Sequence, residues 1–230
     1  MNELKNKKYS NVVAIDFDGT ITEMDVVDGL LVQFAQGKEW IDIEKQWANG
    51  LISSKDCMIQ QLERIRVQSD DLYGFLEQID LDPGFGNLKS YLDRQQIPLV
   101  ILSDGFDLFI DHILSYRGFH NISFRANKIR HVNDRLIPEF PYWTNTCSKC
   151  GHCKQKTLAE IKRIVDKVVF IGDGLSDRCA LSACDHVFAK HKLKKYCDEN
   201  NILYQPYNNL NDIVPELSVI FEIPDIQIQA

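Results

Sequence analysis

Short apolar runs, each closed abruptly by acids, serine or glycine, punctuate this chain. "NVVAIDFDGT" is continuously apolar from Val12 to Ile15 and then breaks into aspartate, glycine and threonine. That is the pattern of a strand buried on both faces and ending in a loop. It returns in "IPLVILSDG" (Ile97 to Gly105) and "KVVFIGDG" (Lys167 to Gly174), and more weakly in "HVFAK" (His186 to Lys190) and "ILYQP" (Ile202 to Pro206). Between the runs, apolar residues recur at helical spacing, as in the stripe Leu158, Ile161 and Val165 and in Phe109, Ile113 and Leu114. Strands alternating with helices predict an α/β fold, a doubly wound parallel sheet whose ligands gather at the carboxyl ends of the strands.

One long excursion interrupts the alternation. Residues 22–95 read as a helical cap inserted into a core made of residues 1–21 and 96–230. Val26, Val27, Leu30, Leu31 and Phe34 form one helix face. "SSKDCMIQQLERI" opens on capping serines and carries Cys57, Ile59, Leu62 and Ile65, and Leu72, Phe75, Leu76 and Ile79 follow at helical spacing. "DPGFG", Asp82 to Gly86, predicts the turn that ends the excursion. A helical insert beside the crevice is suited to be a lid that excludes water, and Trp40, Trp47, Phe34 and Tyr73 are candidates to line it. A smaller departure, "ISFRANKIRHVNDRLIPEF", predicts an antiparallel hairpin around "HVND".

Composition narrows the partners. The 230 residues carry a formal net charge of -7, which disfavours a broad grip on nucleic acid or anionic membrane. No apolar run approaches a membrane span or an export signal, so a cytoplasmic protein is expected. The seven cysteines are then expected to be reduced, with Cys57, Cys179, Cys184 and Cys197 read as small buried hydrophobes. Whether the chain is a monomer or a homodimer is left open by the sequence.

The acids at the strand ends carry the chemistry. "DFDGT" sets Asp16 and Asp18 two residues apart, so an extended backbone points both side chains the same way. "GDGLSD" supplies Asp173 and Asp177 after another buried strand. Carboxylates gathered in one crevice call for a cation, and Mg2+ with oxygen ligands fits better than zinc. "CSKCGHCK" adds Cys147, Cys150 and Cys153, with His152 between the last two and Lys154 directly after. Zinc binding, a redox pair and local packing are all open for these cysteines, and a zinc ion there would have to borrow Cys179, Cys184 or another distant ligand.

These motifs, in this order, resemble those of the haloacid dehalogenase-like phosphatases: "DFDGT" the first, the strand ending in Ser103 the second, Lys154 the third and "GDGLSD" the fourth. The resemblance implies Mg2+-dependent hydrolysis of a small phosphorylated metabolite. Asp16 would be the nucleophile and Asp18 the general acid and then base. The metal would be held by Asp16, the Asp18 backbone carbonyl and Asp173, with Asp177 orienting the ligands and Lys154. Ser103 and Lys154 would contact the transferring oxygens, with Asp104 and Gly105 beside them. Within the superfamily the chain is most similar to the MtnX-type phosphatases of methionine salvage, which act on an enol phosphate. The phosphoserine phosphatases are near relatives and need a cap acid and an arginine for their substrate; Glu23 or Asp25 and Arg64 or Arg66 are the candidates here.

Overall fold

A computed structural model describes residues 9–147 and 149–223; the acidic, apolar tail beyond them lies outside the described residues. Its centre is a seven-stranded sheet in the order β4-β3-β2-β1-β5-β6-β7. The strands are β1 (Tyr9–Ile15), β2 (Leu99–Phe106), β3 (Ser123–Val132), β4 (Arg135–Glu139), β5 (Val165–Gly172), β6 (His186–Ala189) and β7 (Gln205–Pro206). All pairings are parallel except β3 with β4.

Period-two alternation on β1 feeds two hydrophobic clusters. Val13 and Ile15 enter the one on one face, and Val12 and Ala14 the one on the other. The adjacent β5 does the same with Val169 and Ile171 against Val168 and Phe170. Ile15 pairs with Ile101 of β2 and with Ile171 of β5. The three central strands therefore end at one level, and the polar residues that follow them face one crevice.

Helices α1 (Val26–Phe34), α2 (Trp40–Ala48), α3 (Ser54–Leu62), α4 (Ser69–Leu76) and α5 (Phe85–Arg94) lie between β1 and β2. The capping predicted from sequence is present: Ser53 accepts from the Asp56 N–H at 3.0 Å, and Asp25 likewise caps α1 by accepting from Asp28. The insert leaves and returns through an antiparallel pairing of Thr22 with Leu81. Val26, Leu30, Leu31, Leu72 and Phe75 belong to the same cluster as Ile15 and Phe17. The remaining helices, α6 (Asp107–Tyr116), α7 (Lys154–Ile161), α8 (His191–Glu199) and α9 (Ile213–Ile220), cover the sheet. Among the described residues no helix is long and apolar enough to cross a membrane.

Several local expectations shift. α5 begins inside "DPGFG", at Phe85 after the Gly84 cap, and packs against α9. Val165 opens β5 instead of extending the stripe of Leu158 and Ile161, because α7 ends at Ile161. Only Gln205 and Pro206 of "ILYQP" pair as a strand. The hairpin is part of the main sheet: β3 runs beside β2 first and then folds back on β4 through Asn133, whose φ of 58° suits a tight turn.

Candidate active site

The crevice gathers the strand-end acids around one lysine. Lys154, the first residue of α7, is fully buried, with Nζ 2.7 Å from Asp16 and 2.6 Å from Asp177. Burial alone would lower its pKa, but the two carboxylates outweigh that and hold it above its ordinary value. Asp16 also accepts from the Phe17 N–H at 2.7 Å. Both oxygens of Asp177 are engaged, one by Lys154 and the other by the N–H groups of Asp173 and Gly174, each at 3.1 Å.

Asp16, Asp173 and Asp177 bring carboxylate oxygens within 4.8 Å of one another, and among the described residues they form the only such group of potential metal ligands. Three carboxylates against one ammonium leave two negative charges in a largely buried volume. Burial, and then repulsion from Asp177, accordingly raise the pKa of both Asp16 and Asp173. An all-oxygen donor set with that residual charge fits a hard divalent cation such as Mg2+.

Asp18 is not part of the triad but lines the same cleft. It accepts from the Val26 N–H at 3.1 Å and from Ser103 Oγ at 3.2 Å. Burial, then the nearby Asp25, push it up to about 7 against the pull of those hydrogen bonds. Two glycines make the approach possible. A Cβ on Gly105 would lie 2.4 Å from Asp18 Oδ2, and one on Gly19, where φ is +71°, would lie 2.6 Å from Asp173 Oδ2.

The cleft, of about 360 Å³, is lined by Asp16, Asp18, Asp104, Gly105 and Asp173 on the sheet side and by α1, α2 and α3 on the other. Glu23 and Asp25 face it, joined by Asp28, Glu44, Trp47 and Met58. Burial and then Glu44 push Asp28 up to about 6. Arg64 and Arg66 do not line the cleft; they donate to the carbonyls of Gln60, Glu63 and Ile65. Trp47 is the one aromatic of the expected lid set at the cleft. Phe34 and Tyr73 pack instead on Phe75 and His112, and Trp40 on the core.

The cysteine segment braces this arrangement. The Asp104 carboxylate accepts from Ser54 Oγ of α3 at 2.5 Å and from the His152 N–H, while the Ser54 N–H donates to the Lys149 carbonyl at 2.8 Å. His152 is not placed to bind a metal: Nδ1 lies 3.0 Å from the Ser103 carbonyl and Nε2 2.8 Å from Thr157 Oγ1. Burial lowers its pKa to about 4, so the ring is neutral, with Nδ1–H donating and Nε2 accepting from Thr157. Cys179, expected to be a packed hydrophobe, has its sulfur 3.6 Å from that of Cys150.

Sequence reasoning passed over Thr20, whose Oγ1 donates to Asp173 at 3.0 Å, although it stands inside "DFDGT". Ser54 was visible only as a capping serine. Glu44 gave no local signal.

Comparison with known proteins gives a consistent picture. A family model described as "Putative Phosphatase" matches residues 11–209. The chain is 28% identical over 209 residues to a 2-hydroxy-3-keto-5-methylthiopentenyl-1-phosphate phosphatase of Exiguobacterium sibiricum, covering 89% of this chain and 95% of that one. It is also 28% identical to Pdp3-interacting factor 1 of Schizosaccharomyces pombe, over 94% of this chain and 98% of that one. Its fold matches a solved phospho-aspartyl intermediate analogue of phosphoserine phosphatase, with a TM-score of 0.71 at 18% identity over 91% of this chain and 99% of that one.

Proposed function

The chain belongs to that phosphatase family, within the haloacid dehalogenase-like superfamily, and from this premise we propose that Asp16 and Asp18 divide the hydrolysis of a small phosphomonoester into two steps. Asp16 attacks phosphorus and takes the phosphoryl group as an aspartyl-phosphate, while Asp18 gives its proton to the departing ester oxygen. A water then attacks the phosphorus of the intermediate, the bond from phosphorus to the Asp16 carboxyl oxygen breaks to free inorganic phosphate and restore the carboxylate, and Asp18, now ionised, accepts the water's proton. The observation that carries this reading is the pairing of two unlike carboxyls. Asp16 is paired with the buried Lys154 ammonium, and a bound Mg2+ would offset the burial and repulsion that raise its pKa in the metal-free triad, whereas Asp18, outside that triad, has its pKa raised to about 7, chiefly by burial, and so holds a proton to give near neutrality.

Asp16, Asp173 and the Asp18 backbone carbonyl would hold Mg2+, whose chemistry is to offset the charge of the phosphate oxygens as the nucleophile approaches. Asp177, with both oxygens already occupied, orients Lys154 and the loop of Asp173 and Gly174. Lys154 and Ser103 donate to the transferring group. Asp104 supports the site by bonding Ser54 and His152. The insert, chiefly α1 to α3, serves as the cap that selects the leaving alcohol.

For the substrate we favour the enol phosphate named in the relative from Exiguobacterium, 2-hydroxy-3-keto-5-methylthiopentenyl 1-phosphate, which would place this chain in methionine salvage. Met24, Val27, Trp47 and Met58 offer an apolar wall for a thioether tail. A second reading, the phosphate ester of a cationic alcohol, is favoured by Asp25, Asp28 and Glu44 on the same wall. Phosphoserine is less well served by the expected residues, because neither Arg64 nor Arg66 reaches the cleft; its carboxylate would have to meet Lys192, the cleft lysine that also acts on Asp28. The test is phosphate release with Mg2+ from a panel of the enol phosphate, phosphoserine, phosphocholine and phosphoethanolamine. The highest kcat/KM on the enol phosphate supports the first reading, and a preference for the two amino-alcohol esters replaces it with the second. No Mg2+-dependent release from any of them, with no beryllium fluoride adduct at Asp16, overturns the mechanism.

A further inference from the structure

Four cysteines meet in space although only three are close in sequence. The sulfurs of Cys147 and Cys150 are 3.4 Å apart, and that of Cys150 is 3.6 Å from Cys179, on the helical turn that carries Asp177. Cys153 lies close enough to Cys147 for each to act on the other's ionisation. Backbone donors point at the same sulfurs: the N–H groups of Lys149 and Cys150 at Cys147, Lys156 at Cys153 and Gln155 at Cys179. Two of these donors come from the first turn of α7, whose N–H groups have no partner within the helix. Such N–H groups outweigh burial at Cys147, whose thiol pKa is lowered, but not at Cys153; Cys150 is held toward the thiol by its contact with Cys179 and by burial, so metal binding there would release a proton.

We propose that Cys147, Cys150, Cys153 and Cys179 form a site for one thiophilic divalent ion of the zinc class, separate from the carboxylate site. A tetrahedral ion with metal–sulfur bonds of about 2.3 Å holds its sulfurs about 3.8 Å apart, close to the two shortest contacts. Cys147 and Cys179, on either side of Cys150, are more than 4.8 Å from each other, so the ion must draw these two sulfurs together by at least about 1 Å. A cleft of about 320 Å³, lined in part by Cys147, Cys150 and Cys179, gives the ion a way in. A disulfide would use two of the sulfurs and leave the N–H contacts to the others without a purpose. Once bound, the ion joins the segment that begins α7 to the turn that carries Asp177, the two elements whose side chains meet at Lys154. The proposal does not depend on the phosphatase reading.

The test uses the full chain, reduced and stripped of metal, titrated with Co2+ and followed by sulfur-to-cobalt charge-transfer absorption, a signal that the carboxylate triad does not give. About one Co2+ per chain is expected in thiolate coordination, displaced by Zn2+ and not by Mg2+. Cys150→Ser is expected to weaken binding by about tenfold or more, and Cys184→Ser to leave it unchanged. Should Cys150→Ser fail to fold, Cys179→Ser and Cys153→Ala give the same reading from the ends of the row. Absence of the band from the folded, fully reduced chain at excess Co2+ overturns the proposal. So does a band that survives the loss of Cys150 and of Cys179, or isolation of the chain under reducing conditions with a Cys147–Cys150 disulfide and no metal.

Discussion

Replacing Asp18 by Asn removes a proton donor and should at the same time stabilise the metal-free protein at alkaline pH. The unfolded chain releases this proton near 3.8 and the folded chain at about 7. Between those values the folded state holds a proton that the unfolded state has lost, so the contribution of Asp18 to stability falls as pH rises through that window and is flat above it. A shift of about 3 units corresponds to about 4 kcal/mol. Asp18 keeps partial access to solvent, which reduces this to about 2 kcal/mol. Asn can still accept from the Val26 N–H and meet Ser103 Oγ, so little is lost in exchange. In EDTA, D18N is therefore expected to match the parent near pH 4 and to melt about 4–8 °C higher at pH 8.5. Subtracting the two proteins removes Asp16 and Asp173, which titrate in both, while the repulsion of Asp28 by Asp18 is lost with the carboxylate and adds in the same direction. The same variant should lose about 10²- to 10⁴-fold in turnover on an alkyl phosphate. A gap between the two proteins that does not change with pH, or a variant destabilised at pH 8.5, refutes the assignment of a proton to this position.

Three further outcomes follow from the geometry. Gly19→Ala should reduce turnover by about 100-fold or more, since its Cβ meets Asp173 Oδ2 in a backbone conformation that L-residues avoid; steady-state kinetics on a folded variant decide this. Millimolar Mg2+ should raise the melting temperature of the parent by an amount that grows with concentration and vanishes in Asp173→Asn, read by differential scanning fluorimetry. Ser54→Ala removes the bond between α3 and Asp104 and should cost about 1–3 kcal/mol in urea denaturation while raising KM more than it lowers kcat.

Much of the site was legible because it sits where apolar runs end. Val12 to Ile15 and Val168 to Ile171 announce buried strands by their own composition, and the acids after them need only the sheet to be brought together. What escaped depends on packing between segments distant in the chain. Val165 carries on a helical stripe in sequence, yet pairing with Tyr9 makes it the start of a strand. In sequence Cys179 is only one of several cysteines that a metal at the cluster could borrow; the turn after Asp177 singles it out by delivering it to Cys150. Arg64 was plausible by charge, but just past the end of α3 its guanidinium turns back to the carbonyl of Gln60. Trp40 and Trp47 are alike by pattern, and only the orientation of α2 sends one to the core and the other to the cleft.

The apolar cluster shared by the insert and the sheet bears on how new specificities could be made from this scaffold. Val26, Leu30, Leu72 and Phe75 pack in one continuous body with Ile15, Phe17, Phe106 and Phe109. A chimera that grafts another protein's residues between Thr22 and Leu81 onto this sheet would mismatch that body unless the facing side chains travelled with the graft. Directed changes confined to the cleft wall, at Glu44 and Trp47, avoid the seam and are the shorter route to a new leaving group, whereas Met58 packs on it.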